Sequence, residues 1–324
     1  MAIVVVGAGV AGLTASLALA RDGNDVVLVE RDGIPESGAW TSDLADARPG
    51  CPQINQGHSF LARARSLLEQ HAPDVLQAML DAGGNVTDGN LVLPPEHHDP
   101  DLRAIAIRRA LIDRVLLDAV RAEPRISHEP GTVSSLIAGG THDGIPSIAG
   151  VQTADGRRFA ADLVVDASGR RSPFPALLEA IGARPPVERS MPCGIIYYGV
   201  FVEAHPDIAM PPMFAPIAVR ASLGHIGFAI FWQDARYVIL ALSAETADRE
   251  MRALRHEAAF LATCRAIKPM AHFADEAFGT KRTGVVSMGG LHNVRRSFVH
   301  DGAPLARGLV VIGDGLCHTD PTPA

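Results

Sequence analysis

Residues 2–30, AIVVVGAGVAGLTASLALARDGNDVVLVE, decide the fold of this 324-residue chain. The stretch opens with an apolar, β-branched run that is typical of a buried strand, and it closes with a second such run ending at Glu30. Between the two runs lie a glycine turn and a segment with apolar residues at helical spacing, which stops at Gly23. This order predicts a strand, a helix and a parallel strand, the building unit of α/β proteins.

The glycines of this stretch indicate what the unit binds. Gly7, Gly9 and Gly12 form a Gly-x-Gly-x-x-Gly pattern directly after the first strand and at the start of the helix. The first glycine permits a tight turn, the second lets a pyrophosphate approach the backbone, and the third allows close packing of helix on strand. Glu30 is placed to accept hydrogen bonds from ribose hydroxyls and to disfavour NADP, while Arg31 weakens that exclusion or lies over an adenine ring. The pattern predicts dinucleotide binding, with a purely structural glycine turn as the alternative.

The composition is that of a globular protein, with 47% hydrophobic residues and a formal net charge of −7. The basic residues are scattered along the chain, so no nucleic-acid-binding face is predicted. No apolar run reaches the ~18 residues of a transmembrane helix, and the N-terminus lacks the basic region of a signal peptide. We therefore expect a cytoplasmic protein without a membrane span. The four cysteines contain no Cys-x-x-Cys pair and predict neither a zinc site nor a disulfide framework.

Further along the chain, the hydrophobic pattern predicts two short helices parted near Pro73, then a short strand and a helix that stops before Pro124. Short strand-like segments follow. Residues 193–245 alternate between apolar and polar residues and contain aromatics, which predicts an antiparallel sheet. Residues 246–268 have a helical pattern, and residues 308–313 predict a buried strand that returns to the first sheet.

Two later motifs each follow an apolar strand. They are DASGRRS at residues 166–172 and the pair Gly313 and Asp314. Each places small or polar groups at the carboxyl end of its strand, which is where open α/β sheets bind ligands. Each motif taken alone is compatible with an ordinary turn, and the two together favour a ligand site.

In this order and spacing, the three motifs resemble those of the FAD-dependent monooxygenases of the aromatic-hydroxylase type. That superfamily also contains epoxidases, flavin-dependent halogenases and geranylgeranyl reductases. RPGCPQINQGHSFLARARSLLEQ and IRRALIDRVLLDAV also resemble segments of actinobacterial FAD-dependent oxidoreductases. The resemblance covers essentially the whole chain.

The resemblance implies an α/β fold in which a Rossmann-like FAD-binding domain carries an inserted antiparallel-sheet substrate domain. The FAD-binding domain is predicted to comprise residues 1–180, with a segment near 75–102 that extends into the substrate domain. The substrate domain is predicted to comprise residues 181–285, and residues 286–324 are predicted to return to the FAD-binding domain.

FAD is the cofactor that the resemblance implies. The residues implied to bind it are Gly7, Gly9, Gly12, Glu30, Arg31, Arg109, Ser168, Gly169, Gly313 and Asp314. The glycines of the first motif would hold the pyrophosphate, and Asp314 the ribityl chain. Arg109 would contact the flavin nucleotide, with Arg108 as a close rival. Ser168 stands where the family usually has an Asp that is tied to NAD(P)H use. This departure from the family pattern argues against direct reduction by a nicotinamide. NADPH or NADH is one candidate electron donor, and a separate flavin reductase is the other.

In the hydroxylase interpretation, a flavin hydroperoxide delivers one oxygen atom to an apolar or aromatic small molecule beneath the second sheet. Because the cofactor carries this chemistry, no nucleophile or catalytic triad is expected. Gln56 and His58 are candidates for contact with the substrate or the flavin ring, and a surface loop is the alternative for His58. Aromatic residues that line the pocket or belong to the core are Tyr197, Tyr198, Phe201, Phe228, Phe231 and Trp232.

Three other interpretations stay open. A flavin halogenase needs a lysine near its substrate, and the two lysines, Lys268 and Lys281, fall outside the loops of the first domain. A reductase of isoprenoid double bonds shares the fold. A degenerate, non-catalytic FAD-binding protein is the third interpretation. The substrate, its site of modification, the electron donor and the oligomeric state are not predicted.

The last segment of the chain carries one more expectation. In the family, the chain continues past a proline, here Pro321, into a glycine-rich turn and a long helix that faces the flavin ring. This chain ends three residues after Pro321. We therefore expect the C-terminal helix to be missing, with a family member that ends here as the alternative. Whether such a chain retains FAD is not predicted.

Overall fold

The computed structural model describes residues 1–33, 48–213 and 215–320. The strands of the first half of the chain are β1 (Ala2–Val6), β2 (Asp25–Glu30), β3 (Ser59–Phe60), β4 (Asn85–Asp88), β5 (Arg103–Ala106), β6 (Ile126–Pro130), β7 (Val133–His142), β8 (Ile145–Thr153), β9 (Arg158–Ala160) and β10 (Leu163–Asp166). The helices are α1 (Val10–Arg21), α2 (Ala62–His71), α3 (Pro73–Asp81), α4 (Arg109–Ala122) and α5 (Phe174–Ala180).

The second half is richer in strands. They are β11 (Val187–Pro192), β12 (Ile195–Ala204), β13 (Ile217–Ser222), β14 (Ile226–Trp232), β15 (Tyr237–Glu245), β16 (Gly279–Lys281), β17 (Val286–Met288), β18 (His292–Ser297), β19 (Val299–His300), β20 (Ala303–Pro304), β21 (Leu309–Val311) and β22 (Cys317–His318). Two helices follow β15 and are α6 (Glu257–Ala266) and α7 (Lys268–Ala271).

A five-stranded parallel sheet with the order β21-β10-β1-β2-β6 forms the centre of the first unit. Alternate side chains of β1 pack into two different hydrophobic cores, one on each face of the sheet. Ile3 and Val5 pack with α1 and α4, and Val4 and Val6 pack with β7, β8 and α5. Burial on both faces explains why β1 is a continuous apolar run. The predicted strand–helix–strand unit and the predicted fold class are confirmed.

A six-stranded antiparallel sheet forms the centre of the second unit, with the order β13-β14-β15-β12-β16 and β17 paired to β12. One face packs against α6 and α7 around Phe260 and Met270. The predicted antiparallel sheet is therefore present. The division of the chain into domains stays a prediction.

The turn between β14 and β15 inserts into the first unit. The N–H of Ala235 donates to the carbonyl oxygen of Gly83 at 2.7 Å, and Asp234 accepts from the N–H of Arg108 at 2.7 Å. The guanidinium of Arg108 also donates from Nε to both oxygens of Asp234, and it lies 3.8 Å from the ring centroid of Tyr237. These contacts attach the second sheet to the residue that precedes α4.

Two expectations need correction. The strand predicted at residues 308–313 is present as β21, but it is the outer strand of the sheet, so Val310 is 45% exposed and only Val311 is buried. The helical pattern at residues 246–268 is divided into a 3-10 helix, Glu250–Arg255, and α6. Pro321 lies outside the described residues. Across the ranges that the structure describes, no helix has the length and apolar character needed to span a membrane.

Candidate functional site

The three motifs of the sequence meet at the carboxyl edge of the parallel sheet. A Cβ on Gly7, whose φ is +103°, would lie 2.6 Å from the carbonyl oxygen of Ala167 in the second motif. A Cβ on Gly313 would lie 3.0 Å from the Cβ of Ala11 at the start of α1. The loops after β1, β10 and β21 therefore touch one another, and glycine at these positions allows the close approach.

Gly9 and Gly12 differ in what surrounds them. A Cβ on Gly12 would overlap the carbonyl oxygen of Gly7, so packing alone requires glycine there. A Cβ on Gly9 would meet no described atom within 4 Å. Gly9 is also the N-cap of α1 and provides no side-chain cap. The helix N-terminus thus opens onto free space at Gly9, and this arrangement fits the pyrophosphate of a dinucleotide.

Glu30 is buried, and its carboxylate binds the backbone of the glycine turn that follows β1. Its carboxylate accepts from the N–H of Ala8 at 2.5 Å and from the N–H of Asp32 at 2.8 Å. Arg31 is exposed, and its Nε lies 3.8 Å from a carboxylate oxygen of Asp32. The acid at the end of β2 therefore holds the loops of the first motif together. A contact between Glu30 and a ribose stays a prediction.

A buried charge cluster that sequence reasoning missed lies beside this turn. Arg48 is 2% exposed, and its Nη2 donates to the carbonyl oxygen of Ala8 at 2.9 Å and lies 3.7 Å from Glu30. Its Nη1 lies 3.5 Å from Asp113, a fully buried residue of α4. The other oxygen of Asp113 accepts from Nε of Arg109 at 2.5 Å. Asp113 therefore lies between two buried arginines.

Several polar atoms of this cluster lack hydrogen bonds. Within the described ranges, Nε and Nη1 of Arg48, one carboxylate oxygen of Asp113 and Nε2 of Gln56 are buried without a hydrogen-bond partner. Nη1 of Arg48 and the unbonded oxygen of Asp113 lie 3.5 Å from each other, and Nε of Arg48 lies 4.0 Å from Asp32, so these atoms face opposite charges inside the protein. The glycine-lined N-terminus of α1 is the element that suits phosphates, because it offers backbone N–H groups and the positive end of the helix dipole. The residues present therefore fit the FAD that the sequence predicts.

The structure separates the two rival arginines. Arg108 is bound to Asp234 and Tyr237 of the second sheet. Arg109 points into the buried cluster, where the charges of Asp113 and Asp314 act on it. Asp314 is exposed in the 3-10 helix Gly313–Gly315. The arginine that lies at the predicted nucleotide site is thus Arg109, and its binding role stays a prediction.

Gln56 and His58 lie between the two units. Gln56 is buried, with its Oε1 3.4 Å from the position of a Cβ on Gly199 of β12. His58 donates from Nδ1 to the carbonyl oxygen of Gln56 at 2.9 Å, which leaves Nε2 as an acceptor. Burial and the nearby charge of Arg109 lower the pKa of His58 to about 4. The imidazole is therefore neutral near pH 7, and it lies at the interface of the units instead of on a surface loop.

The second motif is held by its own aspartate. Asp166 is fully buried and accepts from the hydroxyls of Ser168 and Ser172, each at 2.5 Å. Burial raises the pKa of Asp166, and the hydrogen bonds from the two serines oppose the rise. Gly169 follows with a φ of +85°. Ser168 and Gly169 thus form a turn at the sheet edge, and their contact with a cofactor stays a prediction.

Because neighbouring residues of a strand point to opposite faces, the predicted aromatic residues fall on two different faces of the six-stranded sheet. Tyr198, Phe228 and Trp232 belong to the core on the helix side of the six-stranded sheet. Tyr197, Phe201 and Phe231 point to the other face, where the ring of Phe231 packs on Gly57. The hydroxyl of Tyr197 donates to Asp320 at 2.5 Å, and burial together with this bond raises the pKa of Tyr197. Only these last three are candidates for lining a pocket next to the first unit.

Two further features bear on the chemistry. No group of three or more His, Cys, Asp or Glu side chains among the described residues is arranged to hold a metal ion. Both lysines lie in the second unit, where the side chain of Lys281 is paired with Glu257 and Lys268 is exposed at the start of α7.

Comparison with known proteins agrees with this arrangement. Residues 2–143 match the model of the FAD dependent oxidoreductase family (DAO). The chain is 26% identical over 355 residues to protein Rv3254 of Mycobacterium tuberculosis, in an alignment that covers 98% of this chain and 68% of that protein.

Solved structures show the same fold. PqsL, a probable FAD-dependent monooxygenase from Pseudomonas aeruginosa, has a TM-score of 0.67 and 16% identity, and the alignment covers 99% of this chain and 80% of PqsL. The myxobacterial chondrochloren halogenase CndH has a TM-score of 0.64 and 20% identity, with 98% of this chain and 69% of CndH covered. The matched family and these neighbours are FAD-dependent enzymes, so the resemblance is confirmed at this level.

Proposed function

We propose that this chain, whose residues 2–143 match the model of the FAD dependent oxidoreductase family, is an FAD-dependent monooxygenase that acts on an apolar or aromatic small molecule. One observation carries the proposal. The segment that contains Gln56, Gly57 and His58 lies between the buried arginine cluster and the apolar face of the six-stranded sheet. A cofactor held by the first unit would therefore face a substrate held against the second.

The residues of the chain then have separate tasks. Gly9 and the N-terminus of α1 would receive the pyrophosphate and offset its charge, Arg109 would contact the nucleotide, and Arg48 would hold the glycine turn through the carbonyl oxygen of Ala8. Asp113 would hold both arginines in place. The neutral imidazole of His58 and the amide of Gln56 would orient polar atoms of the ring or the substrate. FAD, when bound, supplies the electrons and the reaction with oxygen.

The surroundings of the lysines favour this function over halogenation. The neighbour CndH is a halogenase, so the fold alone does not separate the two reactions. Here Lys281 is paired with Glu257, and Lys268 is exposed beside α7. Neither lysine contacts a residue of the three motifs in the part of the chain that the structure describes. NADPH, NADH or a separate flavin reductase is proposed to supply electrons.

The test begins with the cofactor. Gly9→Ala places a methyl group where no described atom lies within 4 Å, so we expect the fold to be kept, with a loss of at most about 1 kcal/mol because alanine is a poorer N-cap than glycine. We expect an FAD dissociation constant at least about ten-fold weaker, because the methyl group takes the place of the pyrophosphate. Gly284→Ala is the matched control, since its Cβ also meets nothing within 4 Å. Equal FAD affinity in the two variants, measured by fluorescence titration, would argue against the cofactor site.

The reaction is tested on the FAD-loaded protein. Reduced protein is mixed with ¹⁸O₂ and a panel of aromatic compounds, and products are analysed by mass spectrometry. One ¹⁸O atom in a product supports a monooxygenase. Protein-bound FAD that consumes no oxygen with chemical reductant, NADPH, NADH or a flavin reductase would contradict the proposal. Halogenated product in the presence of bromide would identify the second candidate.

A further inference from the structure

We propose that the substrate of this chain is a planar, bicyclic aromatic acid, and that Arg220 selects its acidic group. The proposal rests on the function proposed above, because it names the substrate class of the same site. It starts from a group of small residues on the face of the six-stranded sheet that lies toward the first unit. We refer to this group as the small-residue floor. Its members are Gly199, Gly227, Ala229, Ala241 and Ser243.

The register of four strands connects the small-residue floor to Arg220. Ala241 of β15 lies opposite Gly199 of β12 and opposite Ala229 of β14. Ala229 in turn lies opposite Arg220 of β13, which is an outer strand of the sheet. Directly opposite residues project from the same face of a sheet. This row therefore contains three residues without a side chain beyond Cβ, and it ends in an arginine.

Larger residues border the small-residue floor. On one side, a row of large side chains reaches Gly57 of the first unit. Its members are Phe201, Ile239 and Phe231. On the other side, Ser243 and Gly227 extend the floor, and Tyr197 of β12 ends their row. Ala241, Ser243 and Gly227 keep part of their surface exposed. The floor is therefore a shallow depression between larger side chains, and its flat base suits a planar ring system.

Gln56 provides a buried hydrogen-bond donor at one end of the small-residue floor. Gln56 is 8% exposed, and its amide group lies over Gly199, with Oε1 3.4 Å from the position of a Cβ on that glycine. Within the described ranges, Nε2 of Gln56 has no hydrogen-bond partner. Buried amide groups are normally bonded, so this one indicates an acceptor atom on a ligand that lies on the floor.

Charges of opposite sign lie at the two ends of the small-residue floor. At the β12 end, the hydroxyl of Tyr197 donates to Asp320 at 2.5 Å. Burial and Asp320 raise the pKa of Tyr197, and the positive charge of Arg220 opposes the rise. The guanidinium of Arg220 therefore lies on the same side of the sheet as this hydroxyl. An acidic ligand is attracted to the Arg220 end of the floor and repelled from the Asp320 end.

The width of the floor indicates the size of the ligand. Adjacent strands lie ~4.8 Å apart, so the three spacings from β12 to β13 separate Gly199 from Arg220 by about 14 Å. A single ring whose carboxylate binds Arg220 would leave the amide of Gln56 without an acceptor. A bicyclic acid with a second polar group spans both. The guanidinium binds a carboxylate in a forked, bidentate geometry, which makes a carboxylate the expected acidic group.

The experiment measures the binding of three probes to the FAD-loaded protein by calorimetry at constant ionic strength. The probes are 6-hydroxy-2-naphthoate, its neutral analogue 6-hydroxy-2-naphthamide and the monocyclic acid 4-hydroxybenzoate. We expect the wild type to bind the naphthoate at least about ten-fold more tightly than the naphthamide, because the amide cannot form a charge-assisted hydrogen bond with Arg220 from both partners' charges. The monocyclic acid should bind more weakly than the naphthoate, because it does not span the floor.

Two variants test the position of the ligand. Arg220→Gln should bind the naphthoate and the naphthamide equally. Arg265→Gln should keep the wild-type preference, because Arg265 is exposed on α6, which packs on the opposite face of the sheet. Ala241→Leu should bind both naphthalene probes at least about ten-fold more weakly, because its side chain fills the floor. Ala258→Leu, at an exposed position of α6, is the matched control. Thermal unfolding of each variant confirms that it is folded.

Several results would overturn the proposal. They are equal binding of the naphthoate and the naphthamide by the wild type, no binding of either, an unchanged preference in Arg220→Gln, and wild-type affinity in Ala241→Leu. Binding of 4-hydroxybenzoate as tight as that of the naphthoate would overturn the bicyclic class. A chain that inserts oxygen but has no preference for the acid contradicts this inference alone. A chain that prefers the acid but retains no FAD, or consumes no oxygen, contradicts the proposed function alone, since the same binding comparison is made on the FAD-free protein.

Discussion

Replacing Asp113 with asparagine removes a fully buried negative charge that lies between two buried arginines. Oδ1 of Asp113 accepts from Nε of Arg109 at 2.5 Å, and Oδ2 lies 3.5 Å from Nη1 of Arg48. Removing one partner of a buried ion pair costs about 3 to 5 kcal/mol, because the other charge is left without compensation. Arg48 keeps Glu30 at 3.7 Å, so the uncompensated charge is mainly that of Arg109. We therefore expect the unfolding free energy to fall by about 3 kcal/mol, the lower end of this range.

The assay is thermal unfolding of the FAD-free protein, followed by circular dichroism. A loss of about 3 kcal/mol corresponds to a Tm lower by about 6 °C, taking about 2 °C per kcal/mol for a large domain. Asp118→Asn is the matched control on the same helix. Its carboxylate is 41% exposed and lies 3.6 Å from Arg114, so we expect a change below about 0.5 kcal/mol. Equal Tm values for the two variants would refute the view that Asp113 compensates the buried arginines.

Two further predictions concern the interface between the units. Asp234→Asn should lower the unfolding free energy by about 3 kcal/mol, because the buried Asp234 compensates Arg108 through several short hydrogen bonds. A double-mutant cycle in urea with Arg108→Met tests this, and strictly additive effects of the two substitutions would contradict it. The pKa of His58 is about 4 in the folded protein, against 6.5 for an exposed histidine such as that of the unfolded chain. Between these two pH values the unfolded chain binds more protons than the folded chain, so the unfolding free energy should fall as the pH is lowered from 6.5 to 4. His58→Gln should weaken this dependence of the unfolding free energy on pH, measured by urea titrations at several pH values. The exposed control His71→Gln should keep the dependence. An equal change of unfolding free energy with pH in both variants would contradict the burial of His58.

Local patterns were sufficient for much of the fold. The unit β1-α1-β2 was predicted because the period of its apolar residues, its glycines and its breaker at Gly23 all act over short distances. The antiparallel sheet followed from alternation in residues 193–245. The outer position of β21 was not predicted, because an apolar run does not reveal whether a strand pairs with one neighbouring strand or with two.

The candidate site was predicted where its residues belong to a motif and missed where only the folded chain joins them. Arg48 lies in a loop without periodicity, and nothing in the sequence connects it to Asp113. Asp113 itself was accessible from sequence, because it lies four residues after Arg109 on a helix and can pair with it. The choice between Arg108 and Arg109 was not accessible, since it depends on Asp234, which is 126 residues further along the chain.

The aromatic residues and the contacts of Arg296 show the same limit. Strand alternation alone would have separated Tyr197 from Tyr198, because neighbouring residues of a strand point to opposite faces. The approach of Arg296 to Arg170 depends on the pairing of β18 with β22, and no local pattern encodes it. Basic residues that are scattered along the chain therefore still meet in the folded protein.

The turn between β14 and β15 also constrains how the chain can be recombined with its relatives. Ala235 adopts a φ of +49° while its N–H donates to Gly83, and Asp234 binds Arg108. A chimera that takes the six-stranded sheet from another protein would bring a foreign turn to these partners. Residues 83 and 108 must therefore be exchanged together with the turn, and a crossover point that separates them would produce a protein whose two sheets no longer fit.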